Sequence, residues 1–308
     1  MSVTELKVKE VKRKRRKTVW PTNQDTVAAW LTEEYEYGKN KNGTIFFEEG
    51  VIYSYGHHFP LAARTADTKG KRFYLVNGDA YSVTTSQHQS QVRGAIDEKS
   101  CIIVPFSALN EARIDPSEIR AIDREPDKWV RVPCKDSNGK MKERKIHLMG
   151  SSLFQDKEGR RWLSGLDESA LDPWGSFFLT ELMGTSIRTV KDAYFSLVPE
   201  PVVAADIEGR EIKRQGEWFF VKVDPEEKRI LRGKEKKRWF TLMHPSTRTG
   251  HHALTRAIVT NGKVYGKGTC RHNRNQGRPE HRMIRLEDWY RAYPNKQVRS
   301  FGARGRID

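Results

Sequence analysis

The chain has 308 residues, with 36% hydrophobic and 31% charged side chains and a supply of 8 Trp, 10 Tyr and 13 Phe. That length fits two domains or one large one, and so many large apolar rings argue against wholesale disorder. No run approaches the ~18 to 20 apolar residues of a membrane span, and the charged amino terminus is unlike a secretory signal. Three scattered cysteines, Cys101, Cys134 and Cys270, do not make a disulfide scaffold, so a reducing intracellular setting is expected.

The net charge of +16 is concentrated rather than spread. Residues 1 to 17 carry eight basic side chains, including Lys12, Arg13, Lys14, Arg15, Arg16 and Lys17, against only Glu5 and Glu10. Like charges this dense repel one another, which predicts a disordered basic arm over 1–18. From Arg291 onward five basic residues face Asp308 alone, predicting a basic tail over 293–308. An internal cluster, Lys228, Arg229, Arg232, Lys234, Lys236, Lys237 and Arg238, surrounds Glu235.

Between the ends the elements follow in order. Asp25 is a plausible N-cap for a helix with Val27, Trp30, Leu31 and Tyr35 at helical spacing. GTIFFEEGVIYSYG reads as a hairpin turning at Glu49-Gly50, and KRFYLV-NG-DAYSVTT as a second hairpin turning at Asn77-Gly78. Ser86 and Gln89 resemble a capping box opening SQHQSQVRGAI. CIIVPF (101–106) reads as a buried strand, followed by a helical stretch over 107–122. WVRVP and KIHLMG flank a hairpin around Asn138-Gly139. Thr189 opens a helix that places Val190, Tyr194 and Leu197 on one face and is stopped by Pro199 and Pro201. The remainder is β-rich, with another Asn-Gly turn at Asn261-Gly262. The expected fold class is α+β: antiparallel hairpins with short helices and a β-rich carboxyl half. The expected division is an arm (1–18), an α+β domain (19–125), a β-rich domain (126–292) and a tail (293–308).

IYSYGHHFPLA (52–62), NGDAYSVTTSQHQSQV (77–92), RQGEWFFV (214–221) and the series HHALTRAIV, GTCRH and EHR resemble proteins carried by phages and plasmids, in which a Gly-Glu-Trp-Phe-Phe strand precedes a His-containing hairpin. The resemblance implies a mobile-element or viral context and brings no fold or catalytic assignment with it.

Five of the nine histidines, His244, His251, His252, His272 and His281, fall near the carboxyl end beside Cys270. Cys270 and His272 are two apart on a predicted strand and therefore share a face. With His251, His252 and His281 they could form a tetrahedral zinc set, although the paired spacings of familiar zinc motifs are missing. The same imidazoles, with Arg256, Arg271, Arg274, Arg278 and Arg282 holding phosphate, also suit a metal-dependent nuclease or phosphotransfer centre. The plainer expectation is a solvated basic surface facing a polyanion, with no cofactor. His57 and His58, ahead of Phe59-Pro60, read as structural. Trp218 and Phe220 should face opposite to Phe219, as core packing or as a base-stacking platform. No P-loop or GxSxG elbow is present.

Together these features predict a nucleic-acid-binding protein of a phage or mobile element. It would contact phosphates of DNA or RNA through Lys12 to Lys17, Lys234, Lys236, Lys237, Arg238, Arg271, Arg274, Arg278 and Arg282. The alternatives are the metal-dependent enzyme and a structural component of a virion or ribonucleoprotein assembly. The expected location is cytoplasmic or nucleoid-associated, or the virion, with no membrane partner.

Overall fold

The computed structural model describes residues 19–79, 82–135, 141–166, 177–246, 252–272 and 282–302. The predicted arm, with Lys12 to Lys17, lies outside them. The described chain is β-rich with six helices and mostly antiparallel sheets, as an α+β fold requires. Among the described residues no helix is long and apolar enough to cross a membrane.

In chain order the first part comprises β1 (Val19–Trp20), α1 (Asn23–Thr32), β2 (Tyr37–Asn40), β3 (Ile45–Glu48), β4 (Val51–Ser54), β5 (Gly56–Asp67) and β6 (Arg72–Asn77). Then come α2 (Val83–Ala95), β7 (Cys101–Val104), α3 (Phe106–Ala112), β8 (Arg120–Arg124), the paired strands β9 (Lys128–Lys135) and β10 (Met141–Leu148), β11 (Ser152–Gln155), β12 (Arg161–Leu166) and β13 (Phe177–Glu181). The second part comprises α4 (Val190–Ser196), α5 (Glu200–Ile207), β14 (Ile212–Gln215), β15 (Trp218–Lys222), α6 (Pro225–Ile230), β16 (Lys237–Leu242), β17 (His252–Thr260), β18 (Lys263–His272) and β19 (Ile284–Pro294). It ends at β20 (Ser300–Gly302).

Twelve strands form the first sheet, in the order β1-β2-β3-β4-β5-β8-β11-β12-β13-β20, with β6 and β7 branching from β5. Apolar runs such as Cys101–Val104 are buried on both faces of this sheet. Ile103 joins the core under α1 and α2, while Ile102 and Val104 join the core with α3. The second sheet has the order β14-β15-β19-β18-β17-β16. One of its faces packs on itself through Trp218, Phe220, Leu254, Cys270, Leu286 and Tyr290. The other face is covered near β15 by Val202 and Ala205 of α5, and elsewhere by Leu231, which packs with Ile258 and Tyr265.

Several local expectations hold. Glu49 (φ 48°) and Gly50 (φ 88°) make the β3–β4 turn, and Asn261 (φ 50°) and Gly262 (φ 68°) make the β17–β18 turn, both with paired left-handed residues. β9 and β10 pair as the hairpin expected around Asn138-Gly139, whose turn residues lie outside the description. Thr189 caps α4 by accepting from the Asp192 N–H.

Others change. Asn77-Gly78 is not a hairpin turn: β6 instead pairs antiparallel with β5 and parallel with β7. The Asn77 side chain is committed elsewhere, since Nδ2 donates to the Pro60 carbonyl while Oδ1 accepts from the Phe106 and Asp79 N–H groups. Asp25 is the third residue of α1 rather than its cap; Thr22 and Asp25 cap each other reciprocally. The helix expected over 107–122 stops at Ala112, where Arg113 turns left-handed (φ 59°), and Pro116 and β8 follow. Pro199 and Pro201 end one helix but start another, α5, because the first turn needs no N–H from proline.

The expected boundary after residue 125 falls inside the first sheet, which continues through β11 to β13 and takes up β20. The described part of the 293–308 segment is likewise built into the fold. Asn295 and Gln297 are buried, Lys296 pairs with Glu200, and Arg299 pairs with Glu181.

Candidate nucleic-acid interface and buried histidine cluster

The second sheet carries both features that the sequence singled out, at different places. At one end of the sheet the register sets His252 of β17 directly opposite His272 of β18, and their rings meet edge to face at 4.7 Å. His252 Nδ1 lies 3.3 Å from Glu217 Oε1, in the turn before β15. His244, just past β16, stands beside Trp218 and places Nε2 3.0 Å from Asn295 Oδ1, while its Nδ1 accepts from the Ser246 N–H. Asn295 Nδ2 donates to Gln297 Oε1, and Gln297 reaches Thr180 of β13, so a buried polar chain joins this end of the second sheet to the first.

His244, His252 and His272 are all buried, contrary to the solvated surface expected for them. Burial works to raise the Glu217 carboxyl, but the adjacent His252 imidazole, helped by His244, overcomes this and holds it at about 2. Cys270 does share a face with His272, as its spacing required. Burial first, and the Glu217 charge second, push its thiol up to about 12, leaving it protonated and inert in the apolar core. His251 and His281 lie outside the described residues. Among the described residues no group of three His, Cys, Asp or Glu is placed to hold a metal. The arrangement can hold a carboxylate charge against imidazole and fasten strand ends. Sequence reasoning missed Glu217 and Asn295, which are separated from the histidines along the chain and meet them only through strand register.

Along β16, the edge strand, the picture is the reverse. Lys234, Lys236, Lys237 and Arg238 are exposed, and none is paired with a carboxylate among the described residues. Register places Arg238 opposite Arg256, and Arg256 opposite Lys267, giving a row of three cations across three strands. Only Lys267 approaches an acid, Asp288 at 3.9 Å. Next to Arg238 stands Trp239, 55% exposed and in the left-handed region (φ 53°), with the Arg271 guanidinium 5.5 Å from its ring centre. Arg282 is exposed, and Arg274 and Arg278 lie outside the described residues.

The Gly-Glu-Trp-Phe-Phe strand is not the stacking platform. Trp218 and Phe220 fill one face and Phe219 the other, so all three are core, as alternation allowed. His57 pairs with Glu48 and packs edge-on against Phe46 and Tyr53, a surface contact of the first sheet. No family model matches the chain, and neither the curated proteins nor the solved structures yield a match to it.

Proposed function

We propose that this protein binds nucleic acid through phosphate contacts made by the β16 side of its second sheet. Lys234, Lys236, Lys237, Arg238, Arg256 and Arg271 are the carriers, and Lys12 to Lys17 extend the same charge. The supporting observation is the cross-strand row of Arg238, Arg256 and Lys267. Like charges set directly opposite destabilise a sheet, and here an arginine pair stands so with neither member in an ion pair among the described residues. A polyanion supplies the missing counter-charge and releases its condensed counterions on binding. The phage or mobile-element setting rests on the sequence resemblance alone.

The nuclease alternative draws on His252, His272 and Cys270, which are packed into the sheet rather than presented to a substrate. The test is fluorescence anisotropy of a labelled oligonucleotide across a salt series. Arg238→Gln with Arg256→Gln should weaken binding to every sequence alike and flatten the slope of log affinity against log salt by about 1.4 for a single strand. Unchanged affinity and slope would remove these residues from the interface.

A further inference from the structure

The exposed ring of Trp239 narrows the class of nucleic acid. This inference rests on the phosphate-contact reading above and adds a base contact to it. We infer that the β16 surface takes a single strand, with one unpaired base stacked on Trp239 while the neighbouring cations hold the backbone on either side.

Three independent observations converge on that ring. Trp239 is 55% exposed on an edge strand, whereas Trp20, Trp30, Trp162 and Trp218 are all buried. Its backbone is left-handed at φ 53°, a region that bulky residues seldom occupy, and the β16–β17 register skips it. Arg271 covers it at 5.5 Å, which orients the indole and places a guanidinium where it can also meet a phosphate. Lys237 and Arg238 stand beside it on β16 and Arg256 on the neighbouring β17, all exposed, and Met243, just past the end of β16, is 57% exposed.

A duplex buries its base faces in its own stack and offers only groove edges, so an indole ring gains nothing from it. An unpaired base offers an open π face whatever its identity, and aromatic rings in a basic groove are the usual means of holding one. The surface should therefore prefer single strands, with little preference among sequences.

The experiment compares a fluorescein-labelled oligo-dT with a hairpin duplex of equal phosphate count at the same ionic strength. Oligo-dT should bind the native protein more tightly. Trp239→Ala should weaken oligo-dT binding by about tenfold and leave the salt slope unchanged, because a stacking contact carries no counterion. Trp239→Phe should keep most of the affinity. Trp239→Gly guards against misfolding, since glycine accepts the left-handed backbone and should lose affinity as alanine does. If the duplex binds as tightly as oligo-dT and the Trp239 variants bind like the native protein, the single-strand assignment falls while the phosphate contacts stand. If neither probe binds at low salt, both readings fall together.

Discussion

The first sheet and the β16 edge of the second treat positive charge in opposite ways. In the first sheet cations are built into the fold. Arg124 is 8% exposed and pairs with Asp127 at 9%, Arg160 pairs with the buried Asp156, and Arg64 lies over the Trp30 ring while donating to its carbonyl. On the β16 edge of the second sheet, Arg238 stands opposite Arg256, and neither forms an ion pair among the described residues. Net charge counts all of these alike. Their placement separates cations that hold the protein together from cations left for something outside it.

That contrast can be broken by substitution. Arg124→Ala should have the largest effect, a loss of about 3–5 kcal/mol in urea or thermal unfolding, because it takes the counter-charge from the buried Asp127 carboxylate. Nucleic-acid affinity of the folded variant should not change. If stability is hardly altered, the first sheet does not depend on its internal ion pairs.

Glu217→Gln tests the buried end of the second sheet. The Glu217 carboxyl is held at about 2 against an ordinary 4.5, so its contribution is complete above pH 4.5 and is lost as the pH falls toward 2. Integrated over that window it amounts to about 3 kcal/mol. The variant should be less stable at neutral pH and should show a shallower acid limb when unfolding free energy is followed against pH. An acid limb identical to that of the native protein would contradict the pairing with His252.

The smallest expected effect has the opposite sign. Arg238→Gln, alone and without ligand, should raise stability by about 0.2–1 kcal/mol, since it relieves the cross-strand repulsion with Arg256. A destabilised variant would mean that Arg238 supports the sheet, and the contrast between the two regions would lose its basis.

Local features of the fold were legible where one residue's conformational need decides the outcome. Glu49-Gly50 and Asn261-Gly262 turned as expected, Thr189 capped α4, and alternation divided Trp218 and Phe220 from Phe219. Asn77-Gly78 misled because the Asn77 amide serves two distant partners, the Pro60 carbonyl and the Phe106 N–H at the start of α3, as well as the neighbouring Asp79 N–H. Parallel pairings such as β5 with β8 join segments far apart in sequence and leave no local trace. The site followed the same division. The basic run ending at Arg238 and the arginines from Arg256 onward were readable as composition, whereas the Arg238–Arg256 juxtaposition, Trp239 and Glu217 acquire meaning only from register and edge position. Burial of His252 and His272 was hidden because histidine suits surface and interior equally.

The pairing of β20 with β13 has a consequence for how the chain comes to be folded. Ser300 to Gly302 complete a sheet whose other strands end at Glu181, and Phe301 packs toward Trp162 across that interval. During synthesis the earlier sheet must wait with an open rim until the later one has emerged from the ribosome. That rim, from Phe178 to Thr180, is where chaperones or premature association would find the nascent polypeptide.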